Sequence, residues 1–198
     1  GMNLGNPNRS ITEAELDRAF STSNLPLRGA KGWLYEGGIR VPCIVKWPGR
    51  GQSGVENDEP IISTDFYPTI LEMAGLPAMP EQHQDGVSLV PLVAGNGELD
   101  REAIYWHFPH YSNHGMQSPA GAVRAGDYKL LEYFETNAVQ LFDLNDDIGE
   151  QHDLALHEPA KTAELRAKLH AWRNSVSARM PGPNPDYVRG PRASSKTN

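Results

Sequence analysis

Four short apolar segments, at 103–108, 121–125, 128–134 and 139–144, follow one another with only polar turns between them. Strands joined this closely pair antiparallel, because parallel neighbours need long crossover connections. Gly126-Asp127 falls where a tight hairpin turn belongs, between the second and third segments. A helix is then expected from Pro159 to about Ala178. Leu165, Leu169, Trp172 and Val176 recur within it at spacings of four, three and four, one apolar stripe that can lie on the sheet. Pro181-Gly182-Pro183-Asn184-Pro185 ends it, and 181–198 reads as a disordered tail.

The first half reads differently. Thr12-Glu13-Ala14-Glu15 fits a capping box and predicts a short helix to about Phe20. Residues 21–38 form a loop by composition, and the apolar run 41–47 predicts a parallel strand buried on both faces, stopped by Pro48-Gly49. A helix begins near Thr64 or Asp65, with Pro68 in its first turn and Gly75 and Pro77 ending it. Phe66, Ile70 and Met73 share one of its faces. We detect no internal repeat. The expected organisation is an α/β region over 1–97 and a subdomain of antiparallel sheet and helix over 98–180; taken alone, the chain is α+β.

Composition excludes several classes. With 38% hydrophobic and 22% charged residues, a chain of 198 residues is globular rather than disordered. No apolar run is long enough to cross a bilayer, so no membrane partner is expected. A formal charge of −7 argues against nucleic acid but not against a small anion, for which local charge decides. Cys43 is the single cysteine, so an internal disulfide is impossible.

Chemistry concentrates in Leu25-Pro26-Leu27-Arg28-Gly29-Ala30-Lys31-Gly32-Trp33-Leu34-Tyr35-Glu36-Gly37-Gly38-Ile39-Arg40-Val41-Pro42. Glycines let such a loop turn tightly and approach a ligand. Lys31 is a compact charged donor suited to a sulfate or phosphate oxyanion, and Arg28 is either a second anion contact or an exposed arginine. Glu36 and Arg40, four apart, are expected to pair structurally. His107, His110 and His114 have suggestive spacing, yet Pro109 breaks helical geometry and no cysteine completes a zinc set. Asp143-Leu144-Asn145-Asp146-Asp147 opens like a calcium loop. It has Ile148 and Leu154 where glycine and glutamate are required, so an Asx-rich turn is expected instead.

The loop closely resembles the signature of the type I sulfatases, the formylglycine-dependent family of the alkaline phosphatase superfamily. Ser63-Thr64-Asp65-Phe66-Tyr67-Pro68-Thr69-Ile70-Leu71-Glu72-Met73-Ala74-Gly75-Leu76 resembles a helix-opening segment of the same family. Asp85-Gly86-Val87-Ser88-Leu89-Val90-Pro91-Leu92 is similar to its D-G-x-S-L-x-P-L turn. Leu141-Phe142-Asp143-Leu144 with Gly149-Glu150 and Asp153-Leu154-Ala155 resembles its closing strand and turn, so the likeness runs from about Leu25 to Trp172 in family order.

The resemblance implies the last elements of an alkaline-phosphatase-like core, followed by a four-stranded antiparallel sheet and its packed C-terminal helix. It implies sulfate-ester hydrolysis in the complete enzyme, with Lys31 as the catalytic contact to sulfate and His107 or His110 able to hydrogen-bond substrate. Ala30 departs from the family's usual glycine, at a cost on the order of 1 kcal/mol if that position needs positive φ. The family's nucleophile cysteine stands in C-x-P-S-R or C-x-A-x-R, whereas Cys43 is followed by Ile44-Val45-Lys46 and reads as a small apolar strand residue. Its calcium ligands have no counterpart upstream of Lys31, where Asn6, Asn8 and Asp17 do not reproduce them. No metal or cofactor bound by this chain is therefore expected; calcium and formylglycine belong to the full-length family member.

The chain alone is expected to turn over nothing. Its expected partners are a sulfate ester or the sulfate anion, and a second copy through the edge of the 41–47 strand. Alternatives are a phosphate mono- or diesterase of the same superfamily, and a non-catalytic fragment binding an anion or a partner. Family members are usually periplasmic, secreted or lysosomal.

Overall fold

The computed structural model describes residues 23–95, 97–112, 117–182 and 184–186. Its centre is the sheet formed by β1 (Ile104–Phe108), β2 (Ala120–Ala125), β3 (Tyr128–Tyr133) and β4 (Val139–Asp143). All neighbours pair antiparallel, in the order β1-β2-β3-β4. Trp106, Ala122, Leu131 and Gln140 lie in one row across it. Gly126 takes φ of 58° in the two-residue link between β2 and β3, as the first position of a primed hairpin turn requires.

Both faces of the sheet are covered. On one, Ala120, Ala122, Leu131 and Phe142 pack with Leu34, Tyr35 and Leu144. The glycine-rich loop, which carries the short α1 (Glu36–Ile39), therefore lies directly on the sheet. On the other, Val123, Leu130 and Leu141 pack with Leu165 and Leu169 of α4 (Pro159–Ser175). Each large apolar side chain so buried contributes roughly 1.5–3 kcal/mol. Trp172 of α4 stacks on Tyr105, ring centroids 4.8 Å apart. Val176 lies beyond the helix and is exposed, so the apolar stripe ends at Trp172.

A buried carboxylate locks α4 down. Glu132 of β3 accepts from Arg166 Nε at 2.7 Å, faces His170 Nε2 at 2.9 Å, and pairs with the guanidinium of Arg173. Burial pushes the Glu132 carboxyl up, but hydrogen bonds from His170, Arg166 and Arg173 together outweigh it and hold the group below its ordinary value.

Residues 41–95 contribute to neither core cluster. A 3-10 turn, Ser63–Asp65, leads into α2 (Phe66–Met73), and α3 (Val90–Ala94) packs against α2. Asp65 is fully buried and gathers this region. It accepts from the Ile62 amide at 2.8 Å and the Val87 amide at 3.0 Å, and takes the guanidinium of Arg101 on both oxygens. Arg101 is a partner the sequence did not show. Gly86 is required here because a Cβ would lie 2.2 Å from the Thr64 carbonyl.

One expectation is corrected. The 41–47 run is not a strand: among the described residues nothing pairs with the backbone of 41–46, and Ile44 is 96% exposed and Val41 79%. A strand needs a neighbouring strand to take its backbone hydrogen bonds, and among the described residues the sheet is β1-β2-β3-β4 without it. The face shared by Phe66, Ile70 and Met73 is an outer one, with Ile70 62% exposed, while α2 buries Pro68 and Thr69. The helix expected at 12–20, His114 and the end of the tail (187–198) lie outside the described residues.

Candidate functional site

The lysine loop is shaped by its own backbone. Gly29 and Gly32 take φ of 75° and 96°, and a turn closes from the Trp33 amide to the Ala30 carbonyl at 3.0 Å. The Gly37 amide donates to the Arg28 carbonyl at 2.8 Å. A Cβ on Gly37 would lie 2.4 Å from the Gly29 carbonyl, and one on Gly38 2.2 Å from the Trp33 carbonyl. These two glycines admit the loop's own carbonyls rather than a ligand. Ala30 is buried and does not have positive φ, so alanine carries no left-handed cost there.

A buried charge network ties the loop to the sheet. Lys129 of β3, with no exposed surface, places Nζ 2.9 Å from Glu36 Oε1 and 2.9 Å from Glu150 Oε1. The first is an aligned hydrogen bond and the second a charge contact without hydrogen-bond geometry. Glu150 Oε2 accepts from the Glu36 amide at 2.6 Å. Arg124 Nη1 lies 3.5 Å from Glu36 Oε2, closer than Arg40 Nη1 at 4.0 Å, so the expected Glu36–Arg40 pair is the outermost contact of a larger set. Burial pushes the Glu150 carboxyl above its ordinary value, against the pull of Lys129. Two carboxylates and two inner cations balance one another.

Lys31 stands outside this network. It is exposed and has no hydrogen bond or ion pair among the described residues. Arg28 donates from Nη1 to the Glu150 carbonyl at 2.6 Å, and its guanidinium sits 4.0 Å over the Tyr35 ring. The Tyr35 hydroxyl in turn donates to Gln140 at 2.7 Å.

The histidine segment reaches the same face through apolar contacts. Trp106 and Phe108 of β1 pack on the cluster that also holds Trp33, and exposed His110 lies edge-on to Phe108 at 5.7 Å. Gln117 is buried in the β1–β2 connection and accepts from the Leu34 amide at 3.1 Å, joining that connection to the loop. His107 points to the opposite face: its Nε2 donates to the Arg179 carbonyl at 2.8 Å, and its ring lies 5.3 Å from Phe134.

Sequence reasoning missed Lys129, Arg124, Gln117 and the role of Glu150. The available signal was the β3 sequence itself, which puts a lysine on one face and a glutamate on the other of a strand flanked by apolar neighbours. Asp143–Asp147 does close as an Asx turn, with the Asn145 amide donating to Asp143 Oδ1 at 3.0 Å. Among the described residues no group of three or more His, Cys, Asp or Glu gathers to hold a metal. Calcium needs six or more oxygens, so these residues do not fit that ion.

A family model described as N-sulphoglucosamine sulphohydrolase, C-terminal, matches residues 30–178. A sulfatase of Formosa agariphila is 34% identical over 165 residues, which is 76% of this chain and 30% of that protein. Human arylsulfatase A is 34% identical over 139 residues, covering 70% of this chain and 26% of its own length. Among solved structures, Ps i-CgsB in complex with k-i-k-neocarrahexaose has a TM-score of 0.65 at 28% identity, over 76% of this chain and 32% of that one. The chain thus spans about a third or less of the length of these proteins.

Proposed function

The chain belongs to the sulfatase family, matching its C-terminal region, and on that premise we propose that it presents Lys31 to the sulfate group of an ester hydrolysed by the complete enzyme. The observation that carries this reading is a lysine left unpaired on a loop whose one carboxylate, Glu36, is buried and paired with Lys129. An ammonium beside a sulfate ester neutralises oxygens that carry charge throughout, and stabilises charge growing on the departing alcohol oxygen. The buried network contributes no net charge of its own, so the field at the anion comes from Lys31 and the outer edge of Arg28. We take exposed His110, edge-on to Phe108, as the contact to the organic part of the substrate. His107 is the weaker candidate, since one ring nitrogen is engaged by the Arg179 carbonyl.

Neither the nucleophile nor the calcium set of the family is matched by the described residues, so chemistry on sulfur requires groups this region does not supply. Pure chain incubated with p-nitrophenyl sulfate is expected to show no turnover above the uncatalysed rate. In a sulfatase reconstituted from this chain and a nucleophile-bearing upstream region, Lys31→Ala is expected to lower kcat/KM by about 10²–10³. An unchanged kcat/KM in that variant refutes the role of Lys31; turnover by the chain alone refutes its dependence on other groups.

Partner binding follows from the uncovered segment. Val41, Ile44 and Val45 expose apolar side chains beside an unpaired backbone, the combination that invites strand pairing. Dimers or larger assemblies are expected across the micromolar range in light scattering, shifting toward monomer in Ile44→Lys. A monodisperse monomer at those concentrations rules out this association.

A further inference from the structure

Glu150, in the turn that follows β4, holds a left-handed backbone with φ of 51° in a fully buried position. Residues other than glycine keep that conformation only where their surroundings over-determine it. Here two separate parts of the residue reach the lysine loop. The backbone carbonyl accepts from Arg28 Nη1 at 2.6 Å, and the carboxylate accepts from the Glu36 amide at 2.6 Å. Neighbouring Gly149 closes on the same stretch of chain, where a Cβ would come within 3.2 Å of the Pro26 carbonyl. Lys31 lies between the two attachment points, three residues after Arg28 and five before Glu36.

We propose that Glu150 is the positioning residue for Lys31, pinning the loop at both ends so that the ammonium is presented at one place. The inference rests on the reading of Lys31 as the sulfate contact. The left-handed backbone aims the carbonyl at Arg28 while the side chain turns toward Glu36. Asn24, immediately before the loop, also bonds both sides of the lysine, through the Leu27 amide and the Gly37 carbonyl, but among the described residues distant in sequence Glu150 alone does so. Lys129 holds the carboxylate in place but touches only the Glu36 end. Glycine at position 150 would adopt the same φ freely and keep the carbonyl, removing only the side-chain attachment.

The test uses the 198-residue chain and amide-resolved NMR, titrated with sodium sulfate against sodium chloride at equal ionic strength. The parent is expected to show saturable shifts at the Lys31, Gly32 and Trp33 amides that Lys31→Ala abolishes. Glu150→Gly is expected to weaken the apparent sulfate affinity at least about tenfold. It should also speed exchange of the Gly37 amide by about tenfold or more, with the Leu130 and Leu141 amides still protected. Lys31→Ala should leave Gly37 exchange at the parent rate, which separates loss of the charge from loss of its placement. Parent-like sulfate affinity in folded Glu150→Gly overturns the positioning role and leaves the Lys31 reading standing. No saturable response in the parent overturns both. Should Glu150→Gly fail to fold, Glu150→Gln is read in the same way: reduced affinity supports the role, and equal affinity overturns it.

Discussion

Lys129→Met is expected to destabilise the chain by about 3–5 kcal/mol, the usual consequence of removing one partner from a buried ion pair. Methionine fills nearly the same volume, so the loss reflects charge rather than a cavity. Glu36 and Glu150 would face each other beneath the loop with only Arg124 and Arg40 near Glu36, and nothing cationic within ion-pair distance of Glu150. Urea denaturation followed by tryptophan fluorescence should show a lower midpoint with an unchanged slope. Adding Glu150→Gln in the same chain should return part of the loss, because one of the two stranded charges is then gone. A destabilisation below about 1 kcal/mol for Lys129→Met would mean that water reaches the network and the pair behaves as a surface one.

The second large effect is expected on the opposite face. Glu132→Gln should cost on the order of 3 kcal/mol at pH 7, since Arg173 is only 8% exposed and would lose its carboxylate. The effect carries a pH signature. The folded-state pKa of Glu132 is depressed, so the unfolded chain takes up its proton first as pH falls. Stability from this group is present above the unfolded value near ~4.3 and is lost as pH drops through the lower folded value. The gap between parent and Glu132→Gln should therefore close below about pH 4. Glu150 acts in the reverse sense: its folded pKa is raised, so its share of stability is present below ~4.3 and is lost as pH rises through the folded value. Glu150→Gln should accordingly remove a decline with pH, whereas Glu132→Gln removes a gain. Urea midpoints of the two variants between pH 3 and 7 check both signs; the same slope change in both would contradict the assignment.

What could be read in advance depended on periodicity. The β2 and β3 segments are short apolar runs that meet at Gly126, and Leu165 and Leu169 recur at helical spacing, so their partners were implied by the sequence alone. The 41–47 run has the same apolar content, but no described element supplies hydrogen bonds to it, and composition cannot report a missing neighbour. The site was legible in its exposed part. Lys31 and its glycines stand together in sequence, whereas Lys129, Gln117 and Glu150 lie far along the chain and look like ordinary polar residues of strands and turns. Their meaning comes from a sheet covered on both faces: with no outside, every charge in β3 must find a partner.

The attachments of the lysine loop reach across 122, 114, 93 and 83 residues, to Glu150 twice, Lys129 and Gln117. During synthesis from N- to C-terminus, the loop leaves the ribosome long before its holdfasts exist. At about 5–20 residues per second, Arg28 waits roughly 6–24 s for Glu150. A polypeptide released early, anywhere between Lys31 and Glu150, would already carry the loop's amine yet have no means of fixing it in space.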